Sequence, residues 1–176
     1  MIALQAIRWG FDSLREHQPS NNMKYLLLLT VLLFSSLHLA AQTPPPADPT
    51  AWLHATATVE SNGDPAAIGD DGKALGLYQI HESYWKDAVG HDPTIGGSYR
   101  DCLDAKYAEK IVRAYMDRYC RDAFRDGDWE KCSRIHNGGP RIYSKRNSRN
   151  KKERAAWDAT TKYWNKVSAE MTNPTR

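Results

Sequence analysis

One interruption in an otherwise helical pattern constrains the fold of this chain more than any other feature. Apolar residues recur at helical spacing through most of the sequence, first over Trp52–Val59 and last over Trp157–Val167. The interruption is SNGDPAAIGDDGKALG, residues 61–76, whose dense Gly and Asp predict turns or a short hairpin. The pattern therefore predicts a mainly α protein of the α+β class, with a small β or turn insertion after its first helix.

The remaining helices are predicted from periodicity and from the breakers between them. The first begins at the Asp48-Pro49 pair and runs to Glu60, since proline suits the first helical position. Four more are predicted, at about residues 82–89, 101–124, 129–136 and 152–168. A chain of 176 residues has room for one such domain.

Charge and hydropathy exclude two broad classes of protein. The chain has 24 Lys and Arg against 21 Asp and Glu, a net charge of +3, which is far below the basic excess of nucleic-acid-binding domains. A mean hydropathy of −0.67 excludes a polytopic membrane protein. We therefore expect no nucleic-acid partner.

The first 41 residues are typical of a targeting region. Met23-Lys24 precedes an apolar stretch, Tyr25–Ala41, that ends in small residues, which is the pattern of a secretory signal over about residues 23–41. Residues 1–41 are thus interpreted as an N-terminal extension with a signal peptide, and residues 42–49 as a Pro-rich linker. We expect a secreted or periplasmic protein without stable membrane association after cleavage; a retained N-terminal anchor is the alternative.

Three cysteines in a secreted chain predict one disulfide and one remaining thiol. Cys102 and Cys120 are eighteen residues apart on the long predicted helix, about 27 Å, which is too far for a bond. Cys120–Cys132 is favoured because the two residues flank the turn at Asp126–Asp128, and Cys102–Cys132 is second. No Cys/His cluster has the spacing of metal ligands, so neither a metal nor a cofactor is expected.

Two kinds of carboxylic acid lie close together in the sequence. Glu60 ends an amphipathic helix beside Val59, and apolar surroundings disfavour the charged form of an acid, as a general acid requires. Asp70 and Asp71 lie ten residues later in the polar turn region, where an ionised form is expected. Glycoside hydrolysis divides its two roles between such acids.

Six segments in one order resemble the invertebrate-type lysozyme (destabilase) family. They span about Trp52–Val167, and RIHNGGP, residues 134–140, is the most specific. The others are Glu60-Ser61, GLYQI (76–80), SYWKD (83–87), AYMDRY (114–119) and YWNKV (163–167). The resemblance implies a lysozyme-like catalytic domain over residues 50–170, with a tail at 171–176. It also implies hydrolysis of the β-1,4 bond between N-acetylmuramic acid and N-acetylglucosamine in peptidoglycan. The signal that ends in LAAQTPPPA, residues 39–47, looks bacterial and favours a wall-remodelling or antimicrobial, competitor-killing role over animal immunity.

The resemblance also implies roles for individual residues. Glu60 matches the family's proton donor, and Asp70 matches the second carboxylate, acting as nucleophile or electrostatic stabiliser, although Asp71 is the alternative. The predicted substrate-binding residues are Gln79, His81, Tyr84, Trp85, Asp87, Tyr115, His136, Asn137 and Gly138. Aromatic faces pack on sugar rings and amides bind N-acetyl groups. A core role for Tyr84, Trp85 and Tyr115 is the alternative.

The sequence departs from the family pattern at its cysteines and beside the Asp-x-Gly turn. Ala108 and Ile111 stand where relatives commonly have cysteine. Lys73-Ala74 stand where members with isopeptidase activity have a serine, so that second activity is not expected.

Two other functions are alternatives to hydrolysis. A lytic transglycosylase would use Glu60 alone, since the sugar's own 6-hydroxyl attacks C1 and closes a ring. A non-catalytic peptidoglycan-binding protein would keep the cleft without turnover. We expect a monomer.

Overall fold

The computed structural model describes residues 45–173. The predicted N-terminal extension and signal peptide, residues 42–44 of the Pro-rich linker and residues 174–176 of the predicted tail lie outside the described residues. No helix within residues 45–173 combines the length and the apolar character needed to cross a membrane.

The described part is mainly helical, with α1 Thr50–Ser61, α2 Glu82–His91, α3 Ala105–Asp126, α4 Trp129–Gly138 and α5 Lys151–Thr172. The predicted start of α1 is close to the observed one, because Asp48 accepts hydrogen bonds from the Thr50 amide and hydroxyl. Helix α1 ends where Asn62 adopts a left-handed conformation.

The insertion after α1 is a small three-stranded sheet, one strand more than a hairpin. Strands β1 Ile68–Gly69, β2 Ala74–Leu75 and β3 Ile80–His81 are antiparallel in the order β1-β2-β3. Ile68 faces Leu75 and Ala74 faces His81 in the two pairings. The mainly α, α+β fold predicted from the sequence is therefore confirmed.

Gly76 brings the sheet against the rest of the molecule. It has a φ of +72°, and a Cβ at this position would lie 1.9 Å from the carbonyl oxygen of Cys102. Cys102 belongs to a short 3₁₀ helix, Tyr99–Leu103, whose Tyr99 hydroxyl donates to the carbonyls of Lys73 and Ile80. Only glycine fits this approach, which fixes the sheet beside the helices.

The predicted long helix at 101–124 is wrong in its first turn. Residues 99–103 form the 3₁₀ helix, and Asp104 has an extended backbone. The Asp104 carboxylate accepts a hydrogen bond from the Tyr107 amide, so α3 begins at Ala105. Periodicity did not detect this boundary because Leu103 and Tyr107 keep the helical spacing across it.

Trp52 occupies the centre of the core behind the sheet and α4. Its indole is fully buried, stacks on Trp129 at 5.9 Å and donates to the Ser133 hydroxyl at 2.9 Å. Phe124 contacts it edge-on. These contacts join the start of α1 to the last turn of α3 and the first half of α4.

All three cysteines are buried free thiols, so the expected disulfide is not present. The favoured partners are nevertheless adjacent, with the sulfur atoms of Cys120 and Cys132 3.7 Å apart. Burial raises the pKa of Cys102 to about 12, and the Cys120 contact followed by burial raises the pKa of Cys132. The domain is therefore stabilised by its core rather than by a cross-link among these residues.

Candidate active site

A cavity of about 610 Å³ lies where the helices meet the small sheet. The predicted site residues Glu60, Asp70, Gln79, His81, Tyr84, Asp87, Tyr115, His136, Asn137 and Gly138 all line it. We call the helical contribution, Glu60, Tyr84, Tyr115 and His136, the helical wall. We call the contribution of the sheet, Asp70, Gln79 and His81, the sheet wall.

Glu60 reaches the cavity from the last turn of α1. Its side chain is 19% exposed, and its Oε1 lies 3.5 Å from Nε2 of His136. Burial, followed by the negative charge of Glu60, raises the pKa of Tyr163 well above its usual value, which places this α5 phenol beside the carboxyl. Glu60 therefore has one side in the cavity and the other among buried polar groups.

Asp70 occupies a much wetter position in the 3₁₀ turn Asp70–Gly72 between β1 and β2. Its side chain is 68% exposed, and its Oδ2 lies 2.9 Å from Nε2 of His81. Asp70 and Asp71 both have positive φ, a conformation that Asp and Asn adopt more readily than most residues. Asp71 does not line the cavity, so of the two candidates it is Asp70 that faces Glu60's cavity.

Gln79 holds the sheet wall together. Its side-chain amide donates to the carbonyls of Gly76 and Ala67, and its own φ is +46°. Ser61 makes a related tie from the helical side, because its hydroxyl donates to the Leu77 carbonyl at 2.9 Å. The residue after Glu60 thus anchors α1 to the β2–β3 loop.

The C-terminal end of α4 supplies the polar floor of the cavity. Asn137 is exposed there, and a Cβ at Gly138 would lie within 2.7 Å of Ile142 and Thr160. The close packing of α4 on its neighbours therefore requires glycine at this position. The exposed side-chain amide of Asn137 is accessible for hydrogen bonds to a ligand, whereas the backbone N–H of Gly139 donates to the Ile135 carbonyl.

Trp85 lies outside the cavity. Its indole nitrogen donates to the Tyr107 hydroxyl at 2.9 Å, and its ring packs against Tyr99. These contacts give Trp85 the packing role that was the alternative for it, and its predicted role in substrate binding has no support from the cavity lining. Tyr84 and Tyr115 do line the cavity, although both rings are largely buried and stack on each other with centroids 3.5 Å apart.

Several residues around the cavity were not singled out from the sequence. Ser83, Gly139 and Pro140 also line it, and the first of these could have been inferred from its place between His81 and Tyr84. Thr56 and Tyr163 lie behind Glu60, and their buried hydroxyls have no hydrogen-bond partner within residues 45–173. Thr56 precedes Glu60 by one helical turn, and Tyr163 belongs to the YWNKV segment, which indicated the family but not a position beside Glu60.

No group of three His, Cys, Asp or Glu side chains suited to a metal ion occurs within residues 45–173.

The arrangement defines a class of protein before any comparison is made. A mainly helical α+β domain has a glutamate at the end of its first helix and an aspartate in the adjoining sheet, and both acids line one cavity. This is the lysozyme-like class.

Comparison with known proteins identifies the family within that class. The family model described as Destabilase matches residues 50–169. The protein named Lysozyme from Magallana gigas is 32% identical over 127 residues, covering 70% of this chain and 81% of its own length. A Lysozyme from Ostrea edulis is 33% identical over 100 residues, covering 55% of this chain and 61% of the relative. Lysozyme 1 from Crassostrea virginica is 34% identical over 101 residues, which are 57% of this chain and 46% of the relative.

The chain belongs to the destabilase family, the invertebrate-type lysozyme family that its motifs resemble. The predicted family and its lysozyme-like fold are therefore confirmed.

Proposed function

We propose that this protein is a secreted or periplasmic glycoside hydrolase that cleaves the β-1,4 bond between N-acetylmuramic acid and N-acetylglucosamine in peptidoglycan. The observation that supports this most directly is the contrast between two acids lining one cavity, Glu60 at 19% exposure and Asp70 at 68%. Family membership and relatives named lysozyme support the same activity.

The proposed reaction divides two roles between these acids. Protonated Glu60 donates its proton to the glycosidic oxygen as the bond from that oxygen to C1 breaks, and the alcohol leaves. Ionised Asp70 stabilises the positive charge that develops at C1, or forms a covalent bond to it. Water then attacks C1, which breaks the bond to Asp70 where one has formed and releases Asp70 as a carboxylate, and Glu60, now a carboxylate, takes the proton from that water. Both acids end in their starting states.

The sheet wall is suited to the second role. His81 is 2.9 Å from Asp70 on the sheet side, so this pair fixes the orientation of the Asp70 carboxylate. At 68% exposure the Asp70 carboxylate is open to solvent, as the polar member of such a pair of acids requires. The substrate glycan is proposed to lie along the cavity, with its N-acetyl groups near Asn137 and the backbone at Gly138.

The test compares wild type with Glu60→Gln on purified peptidoglycan, following the release of reducing ends. We expect at least a 10³-fold fall in rate, within the range of about 10²–10⁴ for general acid–base catalysis. Glu109→Gln is the matched control, because Glu109 pairs with Arg113 and does not line the cavity. Wild-type rates in Glu60→Gln would refute the assignment.

Mass spectrometry of the products decides between the proposed function and its two alternatives. Ordinary reducing ends support hydrolysis, and 1,6-anhydro ends would indicate a lytic transglycosylase using Glu60 alone. Binding to peptidoglycan without any turnover would indicate a non-catalytic binding protein.

A further inference from the structure

His136 is enclosed on every side except at its two ring nitrogens. It lies in the last turn of α4, and its side chain is only 4% exposed. The ring of Tyr163 stacks on it with an interplanar angle of 25°, and Trp52 meets it edge-on with centroids 6.3 Å apart. The imidazole is therefore held in one orientation and has little surface with which to contact a sugar.

The two ring nitrogens of His136 face two different polar groups. Nδ1 lies 3.1 Å from the hydroxyl oxygen of Tyr84, and Nε2 lies 3.5 Å from Oε1 of Glu60. The second distance is longer than an ordinary N–H···O hydrogen bond, as is common for catalytic contacts without substrate. Tyr84, His136 and Glu60 thus form a row that ends at the proposed general acid.

Tyr84 brings a protonated hydroxyl to this row, within hydrogen-bond distance of Nδ1. Its ring is buried and stacks on Tyr115 at an interplanar angle of 10°. Burial raises the pKa of Tyr84 well above its usual value, so its hydroxyl keeps a proton at every pH at which the enzyme would work. A neutral imidazole that accepts this proton at Nδ1 must have its own proton on Nε2.

The opposite tautomer is disfavoured by Glu60. If Nδ1 held the proton, the lone pair of Nε2 would face the oxygen of Glu60, and the two would repel each other whenever Glu60 is ionised. An Nε2–H group instead offers a donor to that carboxylate.

We propose that His136 is a positioning residue for Glu60, with Tyr84 donating to Nδ1 and Nε2–H directed at Oε1. This replaces the substrate-binding role that the family resemblance implied for both residues, and it rests on the proposed function. With Oε1 facing a donor, the acid proton of Glu60 resides on Oε2 and is available to the glycosidic oxygen. After the transfer, Nε2–H stabilises the carboxylate until water returns a proton.

Among the described residues, the titratable groups next to the pair are Glu60 itself, Tyr163 from α5, Tyr115 and Cys120 from α3, and Cys132 from α4. Asp70, His81 and Asp87 line the same cavity, and the charge of Arg118 acts on Tyr115. Substitution of His136 leaves all of these groups in place, so a change in the pH–rate profile relative to wild type reports the loss of the imidazole.

The tautomer is measured first, on the intact protein without substrate, from the ¹⁵N chemical shifts of His136. We expect the Nε2–H tautomer in wild type and a loss of this preference in Tyr84→Phe, which keeps the stacked ring but removes the hydroxyl. An Nδ1–H tautomer in wild type would overturn the proposal. Because this measurement needs no turnover, an inactive wild type with the Nε2–H tautomer would overturn the proposed function and leave the hydrogen-bond row supported.

The kinetic test compares His136→Leu with His136→Gln, whose amide N–H can replace Nε2–H. We expect kcat to fall about 10-fold or more in His136→Leu, as for loss of one hydrogen bond to a charged group, with KM changed less than about twofold. The alkaline limb of its pH–rate profile should move to higher pH. Without the Nε2–H donor of His136 the Glu60 carboxylate is less stable, so Glu60 should keep its acid proton to a higher pH. His136→Gln should restore most of kcat and the wild-type limb. The proposal would be overturned if His136→Leu kept the wild-type kcat and the wild-type alkaline limb of the pH–rate profile. It would also be overturned if a folded His136→Gln recovered none of the kcat lost in His136→Leu.

Discussion

The two walls of the cavity are built in opposite ways. The helical wall places Glu60 against buried aromatic rings and the enclosed imidazole of His136. The sheet wall places Asp70 in a turn of left-handed residues, largely in solvent, with His81 as its partner. One wall is stabilised by the core and the other by turn geometry, so the same residue type, a carboxylic acid, has a different environment in each.

This difference predicts that the core packed behind the helical wall contributes more to stability than the small sheet does. Trp52→Ala should lower the free energy of unfolding by about 3–5 kcal/mol, because it leaves a large cavity and an unpaired Ser133 hydroxyl. Ile68→Ala, on the sheet side, should change it by less than about 0.5 kcal/mol, since Ile68 is 58% exposed. Urea denaturation measures both, and similar losses would contradict the comparison.

Activity should depend on the sheet wall even though stability does not. Asp70→Asn should lower the rate on peptidoglycan about 10²-fold, because the amide cannot stabilise positive charge at C1. Asn tolerates the left-handed backbone at this position, so the fold should be unchanged. Asp71→Asn is the matched control, since Asp71 has the same backbone conformation outside the cavity. A larger loss in Asp71→Asn would assign the second carboxylate to Asp71.

The walls should also differ in their response to high pH. Burial raises the pKa of Tyr84 well above its usual value, so the folded state holds a proton that the unfolded state releases above about pH 10. The stability from this group is complete below pH 10 and is lost as the pH rises through the folded pKa, by at most about 1.4 kcal/mol per pH unit. Urea unfolding at pH 8, 10 and 11 should show a shallower decline in Tyr84→Phe than in wild type, and equal declines would contradict this prediction.

Local sequence signals predicted the elements better than their exact junctions. The cap at Asp48 and the turn-rich insertion indicated α1 and the sheet, because both depend on neighbouring residues. The start of α3 was predicted too early, since one extended residue, Asp104, leaves the apolar spacing intact. The disulfide was inferred from proximity along the hairpin, and the sulfur atoms of Cys120 and Cys132 are indeed neighbours, but no bond joins them.

Many of the residues that line the cavity could be predicted from the sequence, but the orientation of their side chains could not. Motif order indicated ten residues that line the cavity, and the same motifs also indicated Trp85, which does not. The orientation of His136 could not be inferred, because it depends on Trp52 and Tyr163, which lie 84 and 27 residues away in the chain. Contacts of that kind are determined by packing of the whole domain.

The close approach at Gly76 has a consequence for how such a chain can change. Insertions or deletions in the turn between β1 and β2 would move Asp70, which lies in that turn, and leave the attachment of the sheet to the helices as it is. Any side chain at position 76 would instead collide with the Cys102 carbonyl and displace the whole sheet from the helices. Glu60 and Asp70 would then both still be present, but they would no longer reach the same sugar ring. The width of the groove therefore depends on the absence of a Cβ atom at position 76.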